Sequence, residues 1–132
     1  MKNKKINDLT WYDLINKLKS ILTDLDVASN EAPLPYSVYT ALLTQTGTSV
    51  PTAVILENSL PGVITYSRVS QSVYRGTLTG AFTVGKTIGF LQTNNPQYPL
   101  SFKAIDANTF EIEVNGLEGI ITNTGIEIRV YK

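Results

Sequence analysis

The chain predicts a mainly β protein: a short N-terminal α-helix, then an antiparallel two-sheet sandwich, jelly-roll-like, of about eight strands. From Tyr36 onward Thr, Val, Ile and Tyr dominate, while Gly, Pro and Asn recur about every ten residues, the punctuation of short strands in a sandwich or barrel. Two stretches alternate strictly. Phe110, Ile112 and Val114 oppose Glu111 and Glu113, and Ile126, Ile128 and Val130 oppose Glu127, Arg129 and Tyr131. Strands of that kind have one wet face and one that needs a second layer, which a sandwich supplies; an open barrel is the runner-up. The single helical period precedes them, in Thr10–Asp26.

In that helix Trp11, Ile15, Leu18, Leu22 and Leu25 fall at alternating spacings of four and three, the seam of a helix packed against another helix. Leu14 and Ile21 widen the stripe. Thr10 with Asp13 forms a plausible N-cap, and Leu9 can staple against Leu14. A helix of about 16 residues is marginal alone in water, so something must cover it. From pattern alone its own β domain and other copies of itself stand level as covers. Val27–Pro35 has no periodicity and carries two prolines, and reads as a linker. The expected organisation is therefore 1–26 as an anchor or oligomerisation segment, 27–35 as linker and 36–132 as a β head.

Strands are expected at Tyr36–Thr44, Thr52–Glu57, Val63–Val69, Val73–Leu78, Thr87–Gln92, Ser101–Ile105, Thr109–Val114, Leu117–Ile121 and Ile126–Tyr131. Leu60-Pro61-Gly62 and Asp106-Ala107-Asn108 separate neighbours. Asn115-Gly116 is the strongest hairpin signal, because both residues tolerate the positive φ of a type I′ turn.

Composition limits the chemistry. A chain of 132 residues is one domain plus at most an arm, able to bury roughly two thirds of its unfolded surface. There is no cysteine and no histidine. That removes thiolate metal sites, cysteine nucleophiles, the usual zinc ligand and the usual general base at neutral pH, and argues against an enzyme. Eleven basic and eleven acidic residues balance, whereas nucleic-acid binders show a basic excess. Only Lys2, Lys4 and Lys5 cluster, as in a solvated terminus. No apolar run is long enough to span a bilayer, and a signal-peptide pattern is absent. No nucleic acid, membrane insertion, cofactor or metal is expected.

Gly80–Thr87 matches the phosphate-loop pattern GxxxxGK[ST] letter for letter. That chemistry needs a helix beginning at the lysine, so that backbone amides converge on phosphates. The residues after Lys86, Ile88-Gly89-Phe90-Leu91-Gln92-Thr93, are β-like and stop at Asn94-Asn95-Pro96. The segment reads as a connection between strands. Asp106, Glu111, Glu113, Glu118 and Glu127 concentrate in the last third, but most occupy the wet phase of strands, and no calcium-loop spacing is present. Seven tyrosines, Tyr12, Tyr36, Tyr39, Tyr66, Tyr74, Tyr98 and Tyr131, suit sheet packing, sugar stacking or subunit contacts. Tyr98, with Gln97 and Asn95 in the loop Asn94–Pro99, is the candidate ligand contact, since loops at the ends of sandwiches carry binding residues.

The wording of PYSVYTALLTQTG, PTAVILENSLPG, SVYRGTLTGAFTVGKT and NTGIEIRVYK, spanning roughly Pro35 to Lys132, resembles a group of short bacteriophage virion proteins. The resemblance implies a structural protein of a phage particle, of head-fibre, spike or decoration type. It also implies an N-terminal segment anchored to capsid or tail and a β head facing outward, often as a trimer. No active-site residues come with it. A helix with a two-heptad seam, a proline-marked linker and a β head suits a fibre protomer. The resemblance tips the helix cover toward copies of itself or a neighbouring virion protein, through Trp11, Ile15, Leu18, Leu22 and Leu25. The expected identity is thus a non-enzymatic virion appendage, a homotrimer. The alternative is a carbohydrate-binding or adhesin module for host surface polysaccharide, and a phosphate-loop hydrolase is third.

Overall fold

The computed structural model describes the backbone of residues 2–30 and 33–132, with side chains over 10–25 and 33–132. The chain divides into two compact units, Met1–Leu34 and Pro35–Lys132.

The first unit is one helix, α1, Lys2–Asn30. It is longer than expected in both directions. None of Val27, Ala28, Ser29 and Asn30 is Gly or Pro, so the expected linker begins only after Asn30, and the first helix-breaking residue beyond it is Pro33. Thr10 is consequently interior and does not cap the helix. The side chain of Leu9, invoked for a staple, lies outside the described residues, as do those of Lys2, Lys4 and Lys5. On the exposed flank Lys17 and Asp13 form an i,i+4 ion pair at 3.3 Å.

The second unit contains eight strands: β1 Tyr36–Thr44, β2 Thr52–Asn58, β3 Thr65–Ser70, β4 Val73–Thr77, β5 Thr87–Gln92, β6 Leu100–Asp106, β7 Thr109–Val114 and β8 Thr124–Tyr131. They form two antiparallel sheets of four, ordered β2-β1-β8-β5 and β3-β4-β7-β6. The expected two-sheet architecture is present. Its strand order is more local than a jelly roll's: three of the six pairs, β1–β2, β3–β4 and β6–β7, join sequence neighbours. The long-range closure is β1 against β8, which ties the start of the head to its end, with Tyr36 opposite Tyr131.

The core lies between the sheets. Tyr39, Ala41 and Leu43 of β1 and Ile126 and Ile128 of β8 face Tyr74, Phe110, Ile112 and Val114 of the second sheet. Phe110 is its aromatic centre. It packs edge-on to Phe82 with ring centroids 5.2 Å apart, stacks on Phe102 at 5.3 Å and meets Tyr66 at 6.1 Å. The glycine opposite it makes room: a Cβ on Gly76 would lie closer to Phe110 Cζ than non-bonded carbon atoms can approach. Gly89 on β5 admits Phe102 in the same way.

The Gly80–Thr87 stretch carries the chain from β4 to β5, between sheets, and builds no phosphate loop. Thr87 opens a strand where a helix would be required. Ala81 and Phe82 are buried in the core, and the backbone amide of Phe82 donates to Ala107 O at 2.9 Å. Lys86→Ala is accordingly expected to leave nucleotide binding, measured by titration with ATP and magnesium, as undetectable as in the parent chain.

Two turn expectations are corrected. Asn115-Gly116 does not close a hairpin, and Leu117–Ile121 is not a strand. A hairpin there would keep the chain in the second sheet, whereas the alternating strand β8 is needed beside β1 in the first. Residues 115–123 therefore cross between sheets, with Gly116 and Gly119 at positive φ and Ile121 buried. β3 likewise starts at Thr65, not Val63, because Val63 and the buried Ile64 belong to the crossing from β2.

The crossover 115–123 is pinned by one buried amide. Gln45, 2% exposed, accepts from Gly119 N–H at 2.8 Å through Oε1 and donates through Nε2 to Gly47 O and to Ser49 O at 3.1 Å. Its backbone N–H donates to Ile121 O at 2.7 Å. Arg68 adds an ion pair to Glu118 in the same crossover, with Nε 2.6 Å from Oε1. Gln45→Leu keeps the volume but orphans the Gly119 amide and two carbonyls. We expect a loss of about 3 kcal/mol in urea unfolding, three hydrogen bonds at about 1 kcal/mol each, since Gly47, Ser49 and Gly119 are exposed positions where water reaches the freed groups.

Tyr66 donates its hydroxyl proton to Tyr39 Oη at 3.2 Å. Burial, and for Tyr66 also the bond it donates, push both phenols above their ordinary value of 10.0. A folded-state value above the unfolded one favours the neutral ring. That stability is complete below about pH 10 and is lost as the pH climbs beyond it. Burial raises Tyr74 as well, so Tyr66→Phe, which removes one of three raised phenols, is expected to flatten part of the fall in melting temperature between about pH 9 and pH 11.

Candidate functional site

Two regions singled out in the sequence can be located. On α1, Trp11, Leu18, Leu22 and Leu25 are between 50 and 62% exposed and Ile15 is half-buried, while the flanking Leu14 and Ile21 are 47 and 54% exposed. Apart from Ile15, the residues of the apolar seam are exposed. The loop Thr93–Pro99 brings Asn95, Gln97 and Tyr98 into one turn. Asn95 N–H donates to Thr93 Oγ1 at 3.0 Å, Gln97 N–H donates to Asn95 Oδ1 at 3.2 Å, and Tyr98 N–H donates to Asn95 O at 3.2 Å. Asn95 is thus engaged in shaping the turn, and Tyr98 is half-buried. A hollow of about 220 Å³ at the foot of the loop is lined by Pro99, Leu100, Ser101, Glu113 and Asn115, and by none of the three.

A third region is built by strand register on the outer face of the first sheet. Because side chains alternate, the residues of β8 that do not enter the core, Gly125, Glu127, Arg129 and Tyr131, point outward together. Register places Phe90 of β5 and Thr40 of β1 beside Glu127, and Ile88 and Val38 beside Arg129. Gln92 and Leu42 flank Gly125.

The centre of this face is a stack. The Arg129 guanidinium lies 4.9 Å from the Tyr36 ring centroid and 5.2 Å from that of Phe90, and Tyr36 packs on Tyr131 at 5.1 Å. Arg129 Nε donates to Glu127 Oε1 at 2.5 Å. The bond to Glu127, then that to Tyr131, raises the Arg129 pKa above the ordinary arginine value. The guanidinium thus sits within cation–π range of both rings while its Nε is engaged by Glu127. To one side is a hollow of about 240 Å³ over Gly125, lined also by Thr40, Phe90, Leu91, Gln92, Ile126 and Glu127. To the other is a hollow of about 170 Å³ lined by Gly85, Lys86, Ile88, Tyr131 and Lys132.

Tyr36 and Tyr131 are visible in the sequence as two of seven tyrosines, but only pairing of the first and last strands makes them neighbours. Among the described residues no cluster of three or more acidic side chains is arranged to hold a metal ion. No helix among them is long and apolar enough to cross a membrane.

These elements define a two-sheet antiparallel β-sandwich with a helical N-terminal unit. No family model matches the chain, and no curated protein or solved structure matches it either.

Proposed function

We propose that this chain is a non-enzymatic structural protein of a phage particle, a head fibre, spike or decoration appendage. In this reading α1 docks on the virion and assembles copies, with a trimer favoured, and the β head is displayed outward. The observation that carries it is the open seam of α1. Trp11, Leu18, Leu22 and Leu25 remain at least half exposed, although the head has a complete core of its own. A helix stripe of that size is unfavourable in water and needs a partner; three copies, or a capsid or tail protein, supply one. Labelling intact particles with antibody raised against the head tests the reading. Regularly spaced label is expected, and unlabelled particles from a phage encoding this chain would contradict it.

The second reading is an adhesin or carbohydrate-binding module for host surface polysaccharide. The aromatic and arginine stack on the first sheet favours it, because exposed rings with fixed polar groups beside them suit sugar faces. The two readings are compatible: a displayed head can bind a glycan.

A further inference from the structure

We propose that the outer face of the first sheet is a groove for an uncharged oligosaccharide of hexose units, with one sugar ring seated over Gly125 against Phe90. The inference rests on the reading of the head as a binding module, and is independent of where the head is displayed.

The shape comes from a missing side chain. β8 is a central strand, and its outward positions would ordinarily form a continuous ridge; at Gly125 the ridge drops and leaves the hollow of about 240 Å³. Its walls are mixed in the way sugars require. Phe90 is 49% exposed and offers a flat apolar face for ring C–H groups. Thr40, Gln92 and Glu127 offer a hydroxyl, an amide and a carboxylate at the rim. Glu127 and Arg129, fixed against each other, present an acceptor beside a donor, the arrangement that meets two adjacent hydroxyls of one sugar.

Length points to a chain rather than a single sugar. The second hollow, at Ile88 and Tyr131, lies on the same face beyond the Arg129 stack. Glu127 and Tyr131 are four residues apart on β8, or about 13 Å at 3.3 Å per residue. A run of linked hexoses can occupy both hollows and cross the stack between them.

Charge and strand position exclude the competing occupants. Glu127 and Arg129 neutralise each other at the centre, and the hollow over Gly125 has no cation in its lining, so the seat of the first sugar does not select for a polyanion; Lys86 and Lys132 line only the far hollow. An extended peptide would bind by adding to a sheet edge, here beside β5, whereas the floor of the groove at Gly125 is β8, hydrogen-bonded on both sides to β1 and to β5. An apolar helix would meet the polar rim of Thr40, Gln92 and Glu127 and leave it unpaired.

The test is calorimetric titration of the full chain with a panel of linear hexamers of glucose, mannose and galactose, alongside an acidic oligosaccharide of matched length. Two variants address the site without disturbing the core. Phe90→Ala removes the platform. Gly125→Ala fills the floor with a methyl that would lie at an ordinary 3.5 Å from Gln92 Cβ, so the strand tolerates it. At least one neutral hexamer is expected to bind, with each variant weakening it tenfold or more at unchanged melting temperature, and with Tyr98→Ala having no effect. Binding abolished by Tyr98→Ala but unaffected by Phe90→Ala and Gly125→Ala would overturn this site and leave the binding-module reading standing. Binding of the acidic oligomer alone would overturn the proposed ligand class. No binding by any member would overturn both the groove and that reading.

Discussion

In light scattering after gel filtration, the double variant Leu18→Glu/Leu22→Glu is expected to elute as a single chain, while the parent protein elutes as a multiple of it. Both residues lie in the seam of α1 one turn apart, and both are at least half exposed in the isolated chain. Nothing in the head's core is therefore lost by changing them. What is lost is the surface that a second helix would bury. Six like charges along the seam of a three-helix bundle repel one another and carry a desolvation cost far above the few kcal/mol that two heptads supply. Circular dichroism should show a fall in helix content in the variant, because a helix without a packed face is marginal. The melting transition of the β head should stay where it is, since the core lies within Pro35–Lys132 and includes no residue of α1. An oligomer of unchanged mass would show that the seam is not where copies meet.

The second large effect is on stability. Phe110→Ala is expected to cost about 3–5 kcal/mol, the range for deleting a buried phenylalanine. Phe110 has no exposed surface and holds three other rings, Phe82, Phe102 and Tyr66, so its loss leaves a void that Gly76 opposite cannot fill. For a head of this size the melting temperature should drop by more than about 12 °C, at about 4–8 °C per kcal/mol. Gly76→Ala attacks the same contact from the other side, since the added methyl would clash with the ring. Its effect should be smaller, about 1–3 kcal/mol, through overpacking rather than a cavity. Thermal melts of both variants check the pair. A shift under about 4 °C for either would mean that the aromatic cluster is not the centre of the core.

How far the sequence revealed this structure depends on the range of the interaction. Alternation in Thr109–Val114 and in the last strand is a local property, and those strands fall where their side-chain phase puts them. Tyr36–Thr44 and Thr87–Gln92 also fall at their expected ends, bounded by local turn residues such as Pro35 and Asn94-Asn95-Pro96. The failures need information from elsewhere in the chain. Asn115-Gly116 has hairpin chemistry, yet β8 is drawn to the other sheet by its pairing with β1, and Gln45, some 70 residues earlier, supplies the amide that holds the crossover. The outer face of the first sheet is illegible for a similar reason. Tyr36, Phe90 and Arg129 come from three strands, and only the register brings the Arg129 guanidinium within 5.2 Å of both ring centroids. The loop at Tyr98 could be chosen from composition because loops are local; a composite sheet face cannot. The helix exceeds the span its apolar period predicts, because it extends through polar residues with adequate propensity on either side.

The most direct test of the account is the mass of the unmodified full chain in solution at low concentration, by native mass spectrometry or light scattering. An assembly built through the seam of α1 predicts three times the 14.5 kDa chain mass. A clean 14.5 kDa species, with the helix still formed by circular dichroism, would contradict it.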